Sequence, residues 1–346
     1  MWIDSKIFKE DLEYITNINF IDWSKLDNKT IFVTGATGLI GYTFVNALLY
    51  RNLVHNSNIK IIALVRNINK AKEKFLEQSK ENINLKFIIG DVENIPGIDD
   101  DIDYIVHGAN PTASNYFVEK PVETIKTAVI GTMNILQLAR NKNVKSLVYL
   151  SSMEVYGAPH TDDLIQETQG TTVDTMSVRS CYPEAKRICE ALCTSYAGEY
   201  KVSAKVIRLA QTFGPGIPEN DNRVFAEFIR CVKNKQDIVL QTQGTSKRCY
   251  LYTADAVTAI LAILLNGKSG EAYNAANKET YCSIAEMAEL VVHEIANDEI
   301  TVVIKENNNS KRKFSPPHKL NLDVSKLENL KWNATKNLIN MYKCII

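Results

Sequence analysis

Six short runs rich in Val, Ile, Leu and Phe recur along the first two thirds of the chain, at 30–33, 59–65, 85–89, 104–106, 147–150 and 205–209. They are continuous rather than alternating, so each predicts a strand covered on both faces, as in a parallel sheet. Between them lie helix-length amphipathic stretches, clearest at 39–50, 118–142 and 183–199. Strands and helices in this alternation predict an α/β fold, a doubly wound parallel (Rossmann) sheet. Beyond about residue 213 the rhythm changes to longer loops, with helices expected at 223–233, 255–265 and 284–296, the last capped by Ser283. That change predicts three parts: an N-terminal extension at 1–29, the Rossmann domain at 30–212, and a smaller lobe at 213–346 interleaved with late Rossmann strands. The polar run at 306–313 reads as an exposed loop.

Composition narrows the partners rather than the fold. With 346 residues, 45% of them apolar and 23% charged, the chain has ample material for a buried core. Forty basic residues balance forty acidic ones. A zero net charge gives no whole-molecule field for nucleic acid or a membrane surface, so phosphate recognition has to be local. The first 28 residues show no secretory pattern, and no apolar run approaches the roughly 18 residues a membrane span needs, so a cytoplasmic location is expected. Seven cysteines are scattered without C-x-x-C or paired-histidine spacing, which predicts reduced thiols and no metal.

The strongest local signal is Thr34-Gly35-Ala36-Thr37-Gly38-Leu39-Ile40-Gly41, directly after the first strand and opening a helix. Gly35 and Gly38 allow a tight turn close to a pyrophosphate, and Gly41 allows close packing of helix on strand. The helix N-terminus supplies amide donors, through Thr37, Leu39 and Ile40 among others. A dinucleotide site is therefore expected in the 30–212 domain, the alternative being a purely structural turn. Asp91 and Val92, after the third strand, are placed to meet the adenine, and Ala109, after the fourth, to let the backbone pass the cofactor. At the end of the second strand Arg66 stands where NAD enzymes usually carry an acid. A guanidinium there matches a 2′-phosphate, which keeps NADP open beside NAD; a solvated surface arginine is the plain alternative.

Tyr182-Pro183-Glu184-Ala185-Lys186 places a phenol and an ammonium four residues apart, on one face of a helix. With Pro183 at the first helical position, Tyr182 is expected at the cap, on the exposed lip of the sheet. Lys186 is expected to lower the phenol pKa, so that Tyr182 serves as general base on a substrate hydroxyl, and Ser152, at the end of the fifth strand, to donate to the same hydroxyl. His107, at the end of the fourth strand, reads as a packing and hydrogen-bonding residue.

These motifs resemble the extended short-chain dehydrogenase/reductases of the nucleotide-sugar epimerase, dehydratase and decarboxylase group, over about residues 30–340. The nearest echo is the UDP-glucuronate decarboxylase branch. It is heard in His107-Gly108-Ala109-Asn110-Pro111, Ser151-Ser152-Met153-Glu154-Val155-Tyr156-Gly157, Cys181-Tyr182-Pro183-Glu184-Ala185-Lys186-Arg187, Thr212-Phe213-Gly214-Pro215 and Gly244-Thr245-Ser246-Lys247-Arg248-Cys249-Tyr250. The resemblance implies an enzyme with NAD or NADP bound, a nucleotide-sugar substrate held by the 213–346 lobe, and pairing of two copies through the helices at 118–142 and 183–199. It implies Tyr182 and Lys186 as the redox pair, Ser152 as their hydroxyl partner, Glu154 as an acid/base group, and Pro111, Gln211 and Arg248 as substrate ligands. An ion-pair role is the alternative for Glu154.

Three positions depart from the group's pattern. Met153 stands where 4,6-dehydratases carry an aspartate that protonates the leaving hydroxyl, and a thioether donates no proton. Ala128 and Gln211 replace two usual asparagines on the substrate side. Transient oxidation at the sugar C4, followed by decarboxylation or epimerisation, is the resulting expectation. The alternatives are an NADPH-dependent nucleotide-sugar ketoreductase and, from another class, a non-catalytic dinucleotide sensor, which has no reason to keep Ser152, Tyr182 and Lys186 together.

Overall fold

A computed structural model describes residues 5–75, 84–305 and 317–346. The chain lays down β1 (Thr30–Thr34), β2 (Lys60–Val65), β3 (Leu85–Ile89), β4 (Tyr104–His107), β5 (Ser146–Ser152) and β6 (Ala204–Leu209) as parallel neighbours. It then leaves the sheet for β7 (Gln211–Phe213), β8 (Ile238–Leu240) and β9 (Lys247–Tyr252), and returns with β10 (Ala272–Ala275), which pairs parallel with β6. The seven-stranded order is β10-β6-β5-β4-β1-β2-β3. Strand order reverses between β1 and β4, and the crevice beyond their carboxyl ends is the place where such sheets bind ligands. β1, β4 and most of β5 are buried on both faces, which explains their unbroken apolar runs.

Helices cover both faces. Before the sheet begins, α1 (Lys6–Thr16) packs Phe8 on Tyr42 of α2 (Leu39–His55), ring centroids 5.7 Å apart, and buries Leu12 and Ile15 in the main core. Residues 1–29 thus contribute a core helix that the sequence reading lacks. α3 (Ile68–Lys74) follows β2. The helix expected at 118–142 is two helices, α4 (Ser114–Glu119) and α5 (Pro121–Asn141). The break falls at Lys120, whose φ of −136° and ψ of 56° lie outside the helical region. Pro121 forces it: the residue before a proline is pushed out of the helical region, while the proline itself suits a first turn.

A second correction concerns α6 (Cys181–Tyr200), which opens at Cys181 after a 3₁₀ turn, Val178–Ser180. Pro183 therefore sits within the first turn, where its missing N–H costs nothing, and Tyr182 is inside the helix rather than at its cap. It is 7% exposed, not on an open lip.

The remaining chain builds the smaller lobe around β9. β7 pairs with β9, as do the antiparallel β11 (Asn277–Ser283) and the short parallel β13 (Lys319–Leu320); β12 (Val302–Ile304) pairs with β8. α7 (Val224–Asn234) precedes β8, and the apolar α8 (Thr253–Asn266) lies under the main sheet with residues 254–264 buried. α9 (Ile284–Glu294) starts as read from the sequence: the Ser283 hydroxyl accepts from the Glu286 amide at 3.0 Å, and the Glu286 carboxylate accepts from the Ser283 amide at 2.7 Å. The loop expected at 306–313 lies outside the described residues. Among the described residues no helix is long and apolar enough to cross a membrane.

Candidate active site

The glycine turn lies at the mouth of the crevice, between β1 and α2. Gly35 has φ of +75°, and a Cβ there would stand 2.7 Å from the backbone of Gly108 after β4. Gly38 is the N-cap of α2, so no side chain shields the amides of Leu39, Ile40 and Gly41. Thr37 is half-buried, and its carbonyl accepts from Lys74 of α3 at 2.8 Å. Lys74 braces the turn, and burial lowers its pKa. On the far wall the Ala109 amide donates to the Thr34 hydroxyl at 3.1 Å, and both polar atoms of the Asn110 side chain are shielded and unpartnered. Close backbone approach, bare helix amides and an orphaned amide side chain fit a bound dinucleotide. Arg66 points outward with 80% of its side chain exposed, 3.9 Å from Asp91, while Val92 is buried against Gly131 of α5.

His107 is buried, bonded through Nδ1 to Thr34 at 2.7 Å and through Nε2 to Thr132 at 3.2 Å. Burial and the Lys186 charge hold its pKa down at about 3, so it is a neutral packing residue.

Across the crevice, Ser152, Glu154, Tyr182 and Lys186 meet where β5 ends and α6 begins. The Lys186 ammonium donates to the Leu150 carbonyl at 2.6 Å and lies 4.6 Å from the Tyr149 ring centroid and 5.8 Å from that of Tyr182. Burial lowers its pKa to about 8. The phenol does not follow the expected direction: Tyr182 is pushed well above the ordinary tyrosine value. Burial is the main cause and the Glu154 charge the second; hydrogen bonding to Ser152 and the Arg179 and Arg223 guanidiniums pull the other way. The groups that offset part of that burial cost are Ser152, Arg179 and Arg223, while the Lys186 ammonium is anchored on the Leu150 carbonyl.

Glu154 is held in an ion pair: Nη2 of Arg179 donates to its Oε2 at 2.8 Å. The Tyr182 ring stacks on Phe117 of α4, centroids 4.2 Å apart and planes 16° apart. Neither Arg179 nor Phe117 is signalled by the Y-x-x-x-K spacing. Arg179 lies 25 positions from Glu154, and only the folded loop brings them together.

On the smaller lobe Arg248 donates to Gln211 Oε1 at 3.1 Å and contacts His318 at 3.0 Å, while its Nε is buried without a partner. Two expected substrate residues thus share one cluster. Pro111 is half-buried in the loop after β4, Met153 is buried between Ser152 and Glu154, and Ala128 sits against α6, its carbonyl accepting from the Cys189 thiol.

A doubly wound sheet with a glycine turn on its first strand and a Ser-Tyr-Lys set across the crevice defines a Rossmann protein of the short-chain dehydrogenase/reductase type. Within that class the chain belongs to the NAD dependent epimerase/dehydratase family, whose sequence profile matches residues 31–276. It is 30% identical over 268 residues to UDP-glucuronic acid decarboxylase 1 of Xenopus tropicalis, which covers 78% of this chain and 61% of that protein. It is 30% identical over 309 residues to UDP-glucuronic acid decarboxylase 1 of Arabidopsis thaliana, covering 89% and 67%. The chain therefore spans less than two thirds of the first relative's own length. A solved UDP-glucuronic acid 4-epimerase from Bacillus cereus, in complex with UDP-glucuronic acid and NAD, shares the fold. Its TM-score is 0.74 at 20% identity, over 91% of this chain and 97% of that one.

Proposed function

We propose that the protein is an NAD- or NADP-dependent enzyme that modifies a nucleotide-linked sugar through transient oxidation at C4, with decarboxylation of a hexuronate favoured over C4 epimerisation. The observation that carries this reading is the convergence of Ser152, Tyr182 and Lys186 across the crevice from the glycine turn. The dinucleotide, when bound there, supplies a reversible hydride acceptor. Tyr182 takes the proton of the C4 hydroxyl, Ser152 donates a hydrogen bond to the same oxygen, and Lys186 sets positive charge beneath the ring. Arg248 and Gln211 hold the nucleotide-sugar, with Pro111 lining its path, and Glu154 handles protons on the reacting carbon.

Met153 favours one branch of the chemistry. A C4 ketone places a 6-carboxylate β to a carbonyl, so the carboxylate leaves as carbon dioxide while its electron pair spreads onto the ketone oxygen. The remaining carbon then takes a proton, and no acid is required at Met153. Loss of a 6-hydroxyl does require one, and a buried thioether cannot serve. The decarboxylase relatives support the same branch. Arg66 at the end of β2 favours a second reading, a net NADPH-dependent ketoreductase.

The proposal extends to a cytoplasmic homodimer. Exposed Val122, Ile125 and Met133 on α5 and Ile188 on α6 give two copies an apolar surface to share, and seven free thiols suit a reducing compartment. The test is an NMR time course on nucleotide-hexoses and nucleotide-hexuronates, with NAD and NADP supplied separately. Carbon dioxide release from a hexuronate, giving a pentose product, is expected. A stable 4-keto-6-deoxy product overturns the argument from Met153, and net consumption of NADPH selects the reductase.

A further inference from the structure

Arg179 stands at the junction of two groups that the proposed chemistry needs. Its guanidinium donates to Glu154 at 2.8 Å, and its central carbon lies 4.8 Å from the Phe117 centroid. Phe117 in turn stacks on Tyr182 at 4.2 Å, and its carbonyl accepts from the Cys181 thiol at 3.3 Å. The 3₁₀ turn that carries Arg179 is tied down as well, with the Ser180 hydroxyl donating to the Asp174 carbonyl at 2.5 Å. The Arg179 and Glu154 side chains are 29% and 34% exposed. In a half-buried ion pair the cost of desolvation offsets much of the Coulomb attraction, so stability is a poor reason for this geometry. Its effect is local: one cation holds a carboxylate through Nη2 and lies over an aromatic ring.

We propose that Arg179 is a positioning residue for the reaction, aiming the Glu154 carboxylate directly and fixing the plane of the Tyr182 ring through Phe117. This rests on the reading of Ser152, Tyr182 and Lys186 as the reacting set. Five groups act on or near the phenol: Ser152 from the end of β5, Glu154 from the turn after it, Arg179 from the turn before α6, Lys186 from α6 itself, and Arg223 from the start of α7. Glu154 opposes ionisation of the phenol, and the two arginines favour it. Arg223 is already engaged in a bidentate pair with Asp221, so Arg179 is the cation that compensates Glu154. Removing it frees the carboxylate to swing and leaves its charge facing the phenol.

The test compares Arg179→Met and Arg179→Lys with the wild type in the holoenzyme, using whichever nucleotide-sugar the panel above identifies. Arg179→Met is expected to lower kcat about 100-fold, with KM changed less than about threefold. It should also move the acid limb of the kcat profile up by about one pH unit, because the phenol ionises less readily. Arg179→Lys keeps the charge and loses the planar fork, so the limb should stay in place while kcat remains reduced. A rise in KM alone makes Arg179 a substrate ligand and overturns the proposal, as does an unchanged kcat and pH limb in Arg179→Met. Crystal structures of both variants give a readout independent of turnover: Glu154 and Phe117 in unmoved positions overturn the positioning role even if no substrate is found. Failure of the wild type on the whole panel counts against the enzymatic reading instead. Dinucleotide titration and thermal melting, unchanged in both variants, exclude a folding defect as the cause.

Discussion

A Cβ built on Gly41 would lie 2.2 Å from the carbonyl oxygen of Gly35. The obstacle is backbone, which cannot rotate aside, so helix α2 would have to lift away from the turn. Gly41→Ala should destabilise the fold by about 1–3 kcal/mol, as overpacking does. It should also weaken dinucleotide binding at least about tenfold, because the amides of the turn move with the helix. Calorimetric titration with NAD and NADP beside a thermal melt checks both; normal binding in the alanine variant would remove the turn from the site.

Tyr182→Phe keeps the ring that stacks on Phe117 and removes only the hydroxyl. Turnover should fall below a few per cent while dinucleotide affinity stays within about twofold, since the phenol moves a proton rather than anchoring the cofactor. Substantial residual activity would mean that another group accepts the proton.

Arg66 is exposed enough to turn toward a bound ribose phosphate; among the described residues its ionic neighbour is Asp91 at 3.9 Å. Arg66→Asp should shift the preference from NADP towards NAD, because a phosphate partner becomes a hydroxyl acceptor. Equal ratios of the two dissociation constants before and after the change would make Arg66 a bystander.

The elements that hold the crevice were legible because each owes its form to local chemistry: apolar runs for β1 to β6, glycines for the turn, Ser283 for the start of α9. The break at Lys120 has its signature in Pro121, which outweighs the apolar periodicity running through it. α1 carries an apolar stripe at helical spacing, Phe8, Leu12 and Ile15, but no neighbouring strand or motif marks it as part of the core; its packing on α2 and α8 does. The candidate site was legible where residues share one helix turn or one strand end, as Ser152, Tyr182 and Lys186 do. The Arg179–Glu154 pair depends on how a loop folds back, and the upward shift of Tyr182 depends on burial. Neither has a signature in spacing.

Asp11 of α1 is buried and accepts from Tyr252 Oη at 2.7 Å. Burial, reinforced by Asp255 and Glu10, raises its pKa from 3.8 to about 7 despite the Tyr252 hydrogen bond and the Lys336 charge. A carboxyl raised in the folded state contributes stability that is complete below about pH 4 and lost as the pH climbs to about 7, because the unfolded chain releases that proton first. Asp11→Asn should keep the bond from Tyr252, flatten that slope, and gain at most about 4 kcal/mol over the wild type at pH 8. Urea unfolding at pH 5 and pH 8 measures the difference; parallel slopes in both proteins would exonerate Asp11.

The return of β10 to β6 after three strands of the smaller lobe means that the two lobes are stitched together rather than strung together. The chain crosses between them at Ala210, at the junction of β9 with α8, and again at Ala276. A fragment ending at residue 212 would lack β10 and α8, leaving β6 as a raw sheet edge and the underside of β5 and β6 without its cover. Neither lobe can therefore be exchanged for a foreign one by a single splice. On the reaction proposed above, a change of substrate is reached most directly by substitution within the crevice loops, since grafting the whole smaller lobe would strip β10 and α8 from the sheet.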